Sequence, residues 1–328
     1  MTTTPHQLSW RGAAQKRRFA TGLRCVEARL DAVATRFSGQ LRRSTEATLN
    51  AGGKRLRPLL ALLCARKDAP LDGPVIGVAV AVELLHMATL VHDDVLDGAA
   101  LRRGRPTVVR EAGVHVATSV GNYLLAAAFS EIVDTRHPEA VAVLSDVATG
   151  LSEGEILQMH EAYLVAVEPD AYIRRCTLKT GGLFAASCRL GAVVTGVPPA
   201  VARELEEYGR LLGVAFQIFD DILDFTGEEM TTGKRTGTDV RDGTMTLPLI
   251  YALAVSPGLA DVLGRRQKAE ADVVRVVDEV RRCGALDRAR EAALGYVAAA
   301  RERLAACPDD MEKDLLGQLA GRVVDRYS

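Results

Sequence analysis

The sequence predicts an all-α protein. Three observations carry this. Ala, Leu, Val, Glu and Arg dominate, so helix formers run almost everywhere. No β-branched alternating run with hairpin turns is present. The long apolar run Val75–Val91 carries its polar residues, Glu83 and His86, at i, i+3, on one helix face. That pattern reads as a buried helix and not as a membrane span. With 328 residues, 48% of them apolar, the chain has material for a large core. No linker separates two compositions, so residues 21–328 read as one domain behind an arm of residues 1–20.

Taken in order, residues 21–50 read as one amphipathic helix, broken by Ala51-Gly52-Gly53. Pro58 lies in the first turn of the next helix, where its missing N–H costs nothing. After Asp72-Gly73-Pro74 a long helix runs to Asp97, and Gly98 to Pro106 is a loop. Helices are expected over 115–134, 138–165, 170–195 and 200–225, with His137-Pro138, Glu168-Pro169-Asp170 and Pro198-Pro199 as punctuation. Residues 226–243, rich in Gly, Thr and charge, form a loop of a length that usually has a function. Pro248 opens another helix, and three more follow near 258–282, 285–306 and 309–326. No solenoid period is visible.

The net charge of −1 provides no global basic field for nucleic acid, and 5% aromatics argue against base-stacking platforms. Cys25, Cys64, Cys176, Cys188, Cys283 and Cys307 show no CxxC or zinc spacing, so they read as free thiols in a reducing compartment. Arg11, Lys16, Arg17 and Arg18 precede no apolar h-region, so no secretory signal is read; arginine content alone is compatible with a transit peptide.

Two stretches stand out: His92-Asp93-Asp94-Val95-Leu96-Asp97 and Phe216-Gln217-Ile218-Phe219-Asp220-Asp221-Ile222-Leu223-Asp224. At roughly 3.6 residues per turn, Asp93 and Asp97 point the same way and Asp94 lies on an adjoining line. Three carboxylates this close repel one another unless a cation lies between them. The donors are all oxygen, which suits Mg²⁺ better than zinc. One DDxxD is as readily a solvated helix face or a cap; two on apolar helices, each followed by a basic loop, favour a metal. If the two helices face each other, Asp220, Asp221 and Asp224 complete a rim for a shared metal cluster.

Cations supply the counterpart. Lys54 and Arg57 follow a Gly-Gly turn, Arg102 and Arg103 follow the first box, Lys179 and Thr180 precede Gly181-Gly182, and Lys234 follows the second box. Arg offers a planar fork for phosphate oxygens and Lys a point charge, so the expected ligand is heavily anionic, such as a diphosphate. Each cation alone reads as surface charge; recurrence beside the boxes tilts the balance. No GxGxxG follows a strand, and Gly227–Arg235 misses the P-loop pattern in spacing and in its Ser/Thr.

From about residue 21 to 250 these motifs together resemble the all-trans polyprenyl diphosphate synthases. The residues that carry the resemblance are Gly52-Gly53-Lys54-Arg55-Leu56-Arg57-Pro58, Glu83 with His86, His92–Asp97, Arg102-Arg103-Gly104-Arg105-Pro106-Thr107, Lys179-Thr180, Phe216-Gln217 with Asp220–Asp224, Gly233-Lys234 and Thr246-Leu247-Pro248. The resemblance implies a single large isoprenoid synthase-like helical bundle around a central apolar cavity. It implies that Asp93 and Asp97 bind two Mg²⁺ with Asp94 in support, and that Asp220 binds a third supported by Asp221 and Asp224. Allylic diphosphate would be held by Arg102, Lys179, Gln217 and Lys234, and isopentenyl diphosphate by Lys54, Arg57, His86 and Arg103. Without the resemblance His86 reads as a core histidine. Lys179, Thr180 and Gln217 would steady the carbocation and leaving group, and the released diphosphate would take the proton. A cytoplasmic homodimer, touching the membrane during product release, is also expected.

Two positions depart from the common pattern: Asn122 in Gly121-Asn122-Tyr123, where Asp is usual, and Thr244, where many relatives have Lys. Large aromatics just upstream of the first box stop chain growth in this family; here Ala88 and Thr89 are small, and Leu85 one turn deeper would form a floor. Room for a longer apolar tail points to a product of about C30 to C50, with C20 competing. A class I terpene cyclase shares DDxxD but carries an Asn/Ser/Glu second site and has no need of Lys54, Arg57 and Arg103. An inactive partner subunit would have lost aspartates that this chain keeps, although an active subunit needing a partner stays open.

Overall fold

The computed structural model describes residues 8–227 and 236–325. In chain order the helices are α1 (Ala13–Ala34), α2 (Gly39–Leu49), α3 (Leu56–Leu63), α4 (Gly73–Leu96), α5 (Val108–Asp134), α6 (Pro138–Glu161), α7 (Pro169–Cys176), α8 (Gly182–Val193), α9 (Pro199–Thr226), α10 (Thr238–Asp242), α11 (Leu247–Val255), α12 (Ala260–Leu263), α13 (Glu270–Arg282), α14 (Ala285–Arg303) and α15 (Lys313–Asp325). A π-helical turn, Thr177–Gly181, joins α7 to α8. The described strands are β1 (Leu101–Arg102) and β2 (Arg105–Pro106), an antiparallel pair within the expected 98–106 loop. All six cysteines are free.

Several elements differ from expectation for local reasons. The single helix expected over 21–50 is two, because Ser38 is extended and Gly39 takes a left-handed φ of 67°. Helix α5 begins at Val108, seven residues early: the Thr107 hydroxyl accepts from the Arg110 N–H and caps it, and Gly113 at φ 81° interrupts it close to the expected start. The helix expected over 170–195 is α7, the π-turn and α8. Helix α13 starts at Glu270, well after the expected 258.

The backbone forms two compact units. The described residues to Ala148, with Leu183–Gly209 and Arg303–Leu319, make the first. Thr149–Gly182, Arg210–Glu302 and the described residues from Ala320 make the second. In the first, every residue of α4 from Val75 to Leu85 is buried, as are Pro58–Leu63 of α3. Helices α3 and α8 touch at Gly191, where a Cβ would stand 2.0 Å from the Ala61 carbonyl oxygen. In the second, buried Arg175 of α7 donates to Glu161 and to the Met245 carbonyl, which anchors the chain just before α11.

Candidate active site

In the first unit, α4 is partly accessible towards its C-terminal end, where His92, Val95 and Leu96 reach solvent, and along a stripe that leads to the box aspartates. His86, Thr89, Leu90 and Asp93 are half-buried and Asp97 is exposed, while Ala88 has no accessible surface and Leu85 is 2% exposed. These spacings, i, i+3, i+4, i+7 and i+11, trace one face of a 3.6-residue helix. Thr89 therefore shares a face with the box aspartates, and Ala88 lies off it.

Around His86 the chain collects cations. Arg55, at φ 47°, starts α3 and is used up internally. It donates from Nη1 to Glu83 Oε1 at 2.9 Å, from Nε to Glu27 Oε1 at 2.7 Å, and from Nη2 to the Leu49 carbonyl at 2.8 Å. Arg57, two residues on, differs. Its Nε is buried with no hydrogen-bond partner, and its guanidinium lies 5.0 Å from the centroid of the Phe184 ring. Burial, with Arg103 adding repulsion, pushes its pKa down to about 10. Arg103 donates to the Gly52 carbonyl, and Lys54 is exposed. Burial, then Arg57, Arg103, Arg102 and Arg55, hold the His86 imidazole well below its ordinary pKa. His86 thus lies in the field of four arginines, of which Arg55 and Arg102 already hold carboxylates.

The first box sits in the last turn of α4, with Asp97 as its C-cap. Carboxylates at the negative end of a helix dipole are disfavoured unless cations compensate. Asp94 is buried and accepts from Arg102 Nε at 2.7 Å, which ties the β1–β2 hairpin to α4. Burial raises its pKa, against the pull of Arg102. His92 packs on Gly121 of α5, where a Cβ would stand 2.3 Å from Nε2. Next to it Asn122 is exposed, and the Tyr123 hydroxyl donates to the Val33 carbonyl at 2.7 Å.

In the second unit the π-turn carries Lys179 and Thr180. Gly154 of α6 permits close approach, since a Cβ would stand 2.7 Å from Lys179 Cγ. Lys179 Nζ then donates to Glu155 and, at 2.9 Å, to Gln158 Oε1. Thr180 Oγ1 donates to Gln217 Oε1 at 2.7 Å, and Gln217 Nε2 to Asp221 Oδ1 at 2.8 Å. The Tyr172 hydroxyl donates to Asp221 Oδ2 at 2.6 Å. Burial, aided by Asp220, pushes the Asp221 pKa up to about 7 despite these donors. Asp224 accepts the N–H groups of Thr238 and Asp239, each at 3.0 Å, and so holds the start of α10. Asp220 is exposed. Thr244 donates its N–H to the Asp239 carbonyl at 2.9 Å. Lys234 lies outside the described residues.

Asp94, Asp221 and Asp224 accept hydrogen bonds from protein donors. Asp93 is half-buried, and Asp97 and Asp220 are exposed. Among the described residues no group of three His, Cys, Asp or Glu side chains is arranged to hold a metal by itself. Mg²⁺ does not need one: it takes one or two carboxylates and completes its octahedron with water and substrate phosphate oxygens. The oxygen-only donors and their helix-end position fit that ion. Sequence reasoning passed over Tyr172, Glu155 and Gln158 as partners; the available signal was Gly154 followed by polar residues at i, i+3 within a helix.

A mostly helical chain with aspartate-rich turns near two helix ends and arginines gathered around His86 is a helical isoprenoid synthase by class. The family model for polyprenyl synthetase matches residues 38–280. Over 299 residues the chain is 37% identical to heptaprenyl diphosphate synthase component 2 of Geobacillus stearothermophilus, covering 91% of this chain and 93% of that protein. It is 36% identical over 293 residues to geranylgeranyl diphosphate synthase of Methanosarcina mazei, covering 88% and 90%. The crystal structure of a polyprenyl synthase from Caulobacter crescentus, complexed with calcium and isoprenyl diphosphate, superposes with a TM-score of 0.84 at 34% identity, covering 95% and 96%. The chain belongs to the polyprenyl synthetase family and is a prenyltransferase.

Proposed function

We propose that this prenyltransferase condenses isopentenyl diphosphate with an allylic prenyl diphosphate, releasing diphosphate and building an all-trans chain of about C30 to C50. The observation that carries the reading is the cluster of arginines around His86, where Arg57 keeps a buried Nε without a partner. It suits a diphosphate because this Nε is desolvated and without a hydrogen-bond acceptor, so an anion gains more there than at a hydrated surface arginine. Isopentenyl diphosphate would take Arg57, Arg103 and Lys54, with neutral His86 as a further donor. The allylic diphosphate would take Arg102, Lys179, Gln217 and Lys234.

Asp93, Asp97 and Asp220 would hold Mg²⁺, three ions by family likeness, with Asp94, Asp221 and Asp224 in support. Bound there, Mg²⁺ would supply positive charge that favours departure of the diphosphate. Lys179 adds charge to the leaving group, and Thr180 and Gln217 orient it and face the allylic cation. The double bond of isopentenyl diphosphate then attacks, and the departing diphosphate takes the proton. The protein works as a cytoplasmic homodimer that meets the membrane to release product.

The test is purified protein with Mg²⁺, isopentenyl diphosphate and C5, C10, C15 or C20 allylic primers. Acyclic prenyl diphosphates are expected; a cyclic hydrocarbon or no product overturns the reading. A second reading, a subunit that needs a partner, is favoured by the name of the Geobacillus relative, a "component 2"; activity of the purified chain alone excludes it. On product length, Thr89 and Ala88 are both small, and Thr89 shares the face of Asp93. Thr89→Phe is expected to shorten the product more than Ala88→Phe; unchanged lengths in both place the growing tail elsewhere.

A further inference from the structure

Asp221 lies in the middle of a polar chain that runs from the π-turn to a residue outside every motif. Its carboxylate is 7% exposed, and each oxygen receives one donor, Gln217 Nε2 at 2.8 Å and the Tyr172 hydroxyl at 2.6 Å. Gln217 turns its amide NH₂ towards Asp221 Oδ1. Its Oε1 is then left to accept from Thr180 Oγ1 at 2.7 Å. One chain of donors, Tyr172 to Asp221 and Thr180 through Gln217 to Asp221, therefore sets the orientation of three groups at once. Tyr172 is its fixed end: it is 1% exposed on α7, and three residues on buried Arg175 donates to the Met245 carbonyl. Asp221 directly follows exposed Asp220 on α9, so this network lies beside the second aspartate box.

We infer that Tyr172 is a positioning residue that acts through Asp221, holding the second aspartate box and the Thr180–Gln217 pair ready for metal and diphosphate. The inference rests on the proposed function for the identity of the ligand and not for the geometry. It requires that the hydroxyl, and not the ring, matter. Tyr172→Phe removes only the hydroxyl. Loss of an outer partner of a metal-binding carboxylate typically costs about 10- to 100-fold in metal affinity or activity. Tyr208→Phe is the matched control: Tyr208 is fully buried and donates to the Leu316 carbonyl at 2.8 Å within the first unit, apart from any proposed ligand residue.

Two measurements separate the outcomes. The first is the rise in thermal midpoint on adding Mg²⁺ with inorganic diphosphate, which needs no turnover. The second is the Mg²⁺ concentration for half-maximal condensation. Tyr172→Phe is expected to need about 10-fold more Mg²⁺ in both, with kcat reduced and the KM for isopentenyl diphosphate within about twofold of wild type. Tyr208→Phe is expected to lower the ligand-free midpoint and leave the Mg²⁺ dependence unchanged. A Tyr172→Phe protein with the wild-type Mg²⁺ dependence overturns the inference, whatever its stability. A wild-type protein that binds Mg²⁺ and diphosphate but makes no prenyl product overturns the proposed function while leaving this inference standing.

Discussion

Arg55 and Arg57 show how far two arginines two positions apart can diverge. Arg55 is enclosed by Glu27, Glu83 and a backbone carbonyl; Arg57 has a buried Nε with nothing to bind. Truncating Arg55 would strand the Glu83 carboxylate, whose side chain is 3% exposed, so Arg55→Ala should cost about 3–5 kcal/mol of stability by urea unfolding. Arg57→Gln should fold, and its KM for isopentenyl diphosphate should rise about 10- to 100-fold at nearly constant kcat, the worth of a charged hydrogen bond. His86 gives a pH signature. Its folded pKa lies well below the ordinary value of 6.5, so below about pH 6.5 the unfolded chain binds a proton that the folded chain refuses. Stability contributed by this group is complete above pH 6.5 and is lost as the pH falls toward the folded pKa. His86→Gln should therefore lose less stability between pH 7.5 and 5.5 than wild type; an equal or greater loss assigns the acid sensitivity to other groups.

At the scale of elements, the site depends on close approaches. Helix α5 meets α4 where Gly121 leaves space for His92, one residue before the first box. Gly121→Ala must displace the imidazole, at a cost of about 1–3 kcal/mol by analogy with other overpacked sites. Adding His92→Ala should recover stability relative to the sum of the two single changes; strict additivity by denaturant unfolding would mean the contact is not coupled. The motifs Gly52–Pro58, His92–Asp97 and Asp220–Asp224 were all legible in the sequence, because spacing on a helix determines which side chains share a face. The split at Gly39 and the π-turn at Thr177–Gly181 were not. The first needs a left-handed glycine that composition does not reveal, and the second depends on what Gly154 allows to pack against it.

For the whole molecule, the apolar core and the ligand chemistry are separable. Helices α3 and α4 bury continuous apolar runs that need no ion to hold them, while the aspartates lie at helix ends. Chelation with EDTA should therefore abolish condensation, by about 100-fold or more, with the far-UV circular dichroism unchanged. Loss of helicity on chelation would show that metal is part of the fold.

By itself the sequence determined the helical class, the two aspartate turns and the cations that accompany them, since local periodicity and residue chemistry suffice for these. It did not show that Arg55 is held by Glu27 and Glu83, that Asp94 accepts from Arg102, or that Thr89 and not Ala88 shares the face of Asp93. Nor did it bring Tyr172 to Asp221, 49 positions away. Those assignments depend on which groups burial deprives of water and which partners then satisfy them, and only tertiary packing decides that.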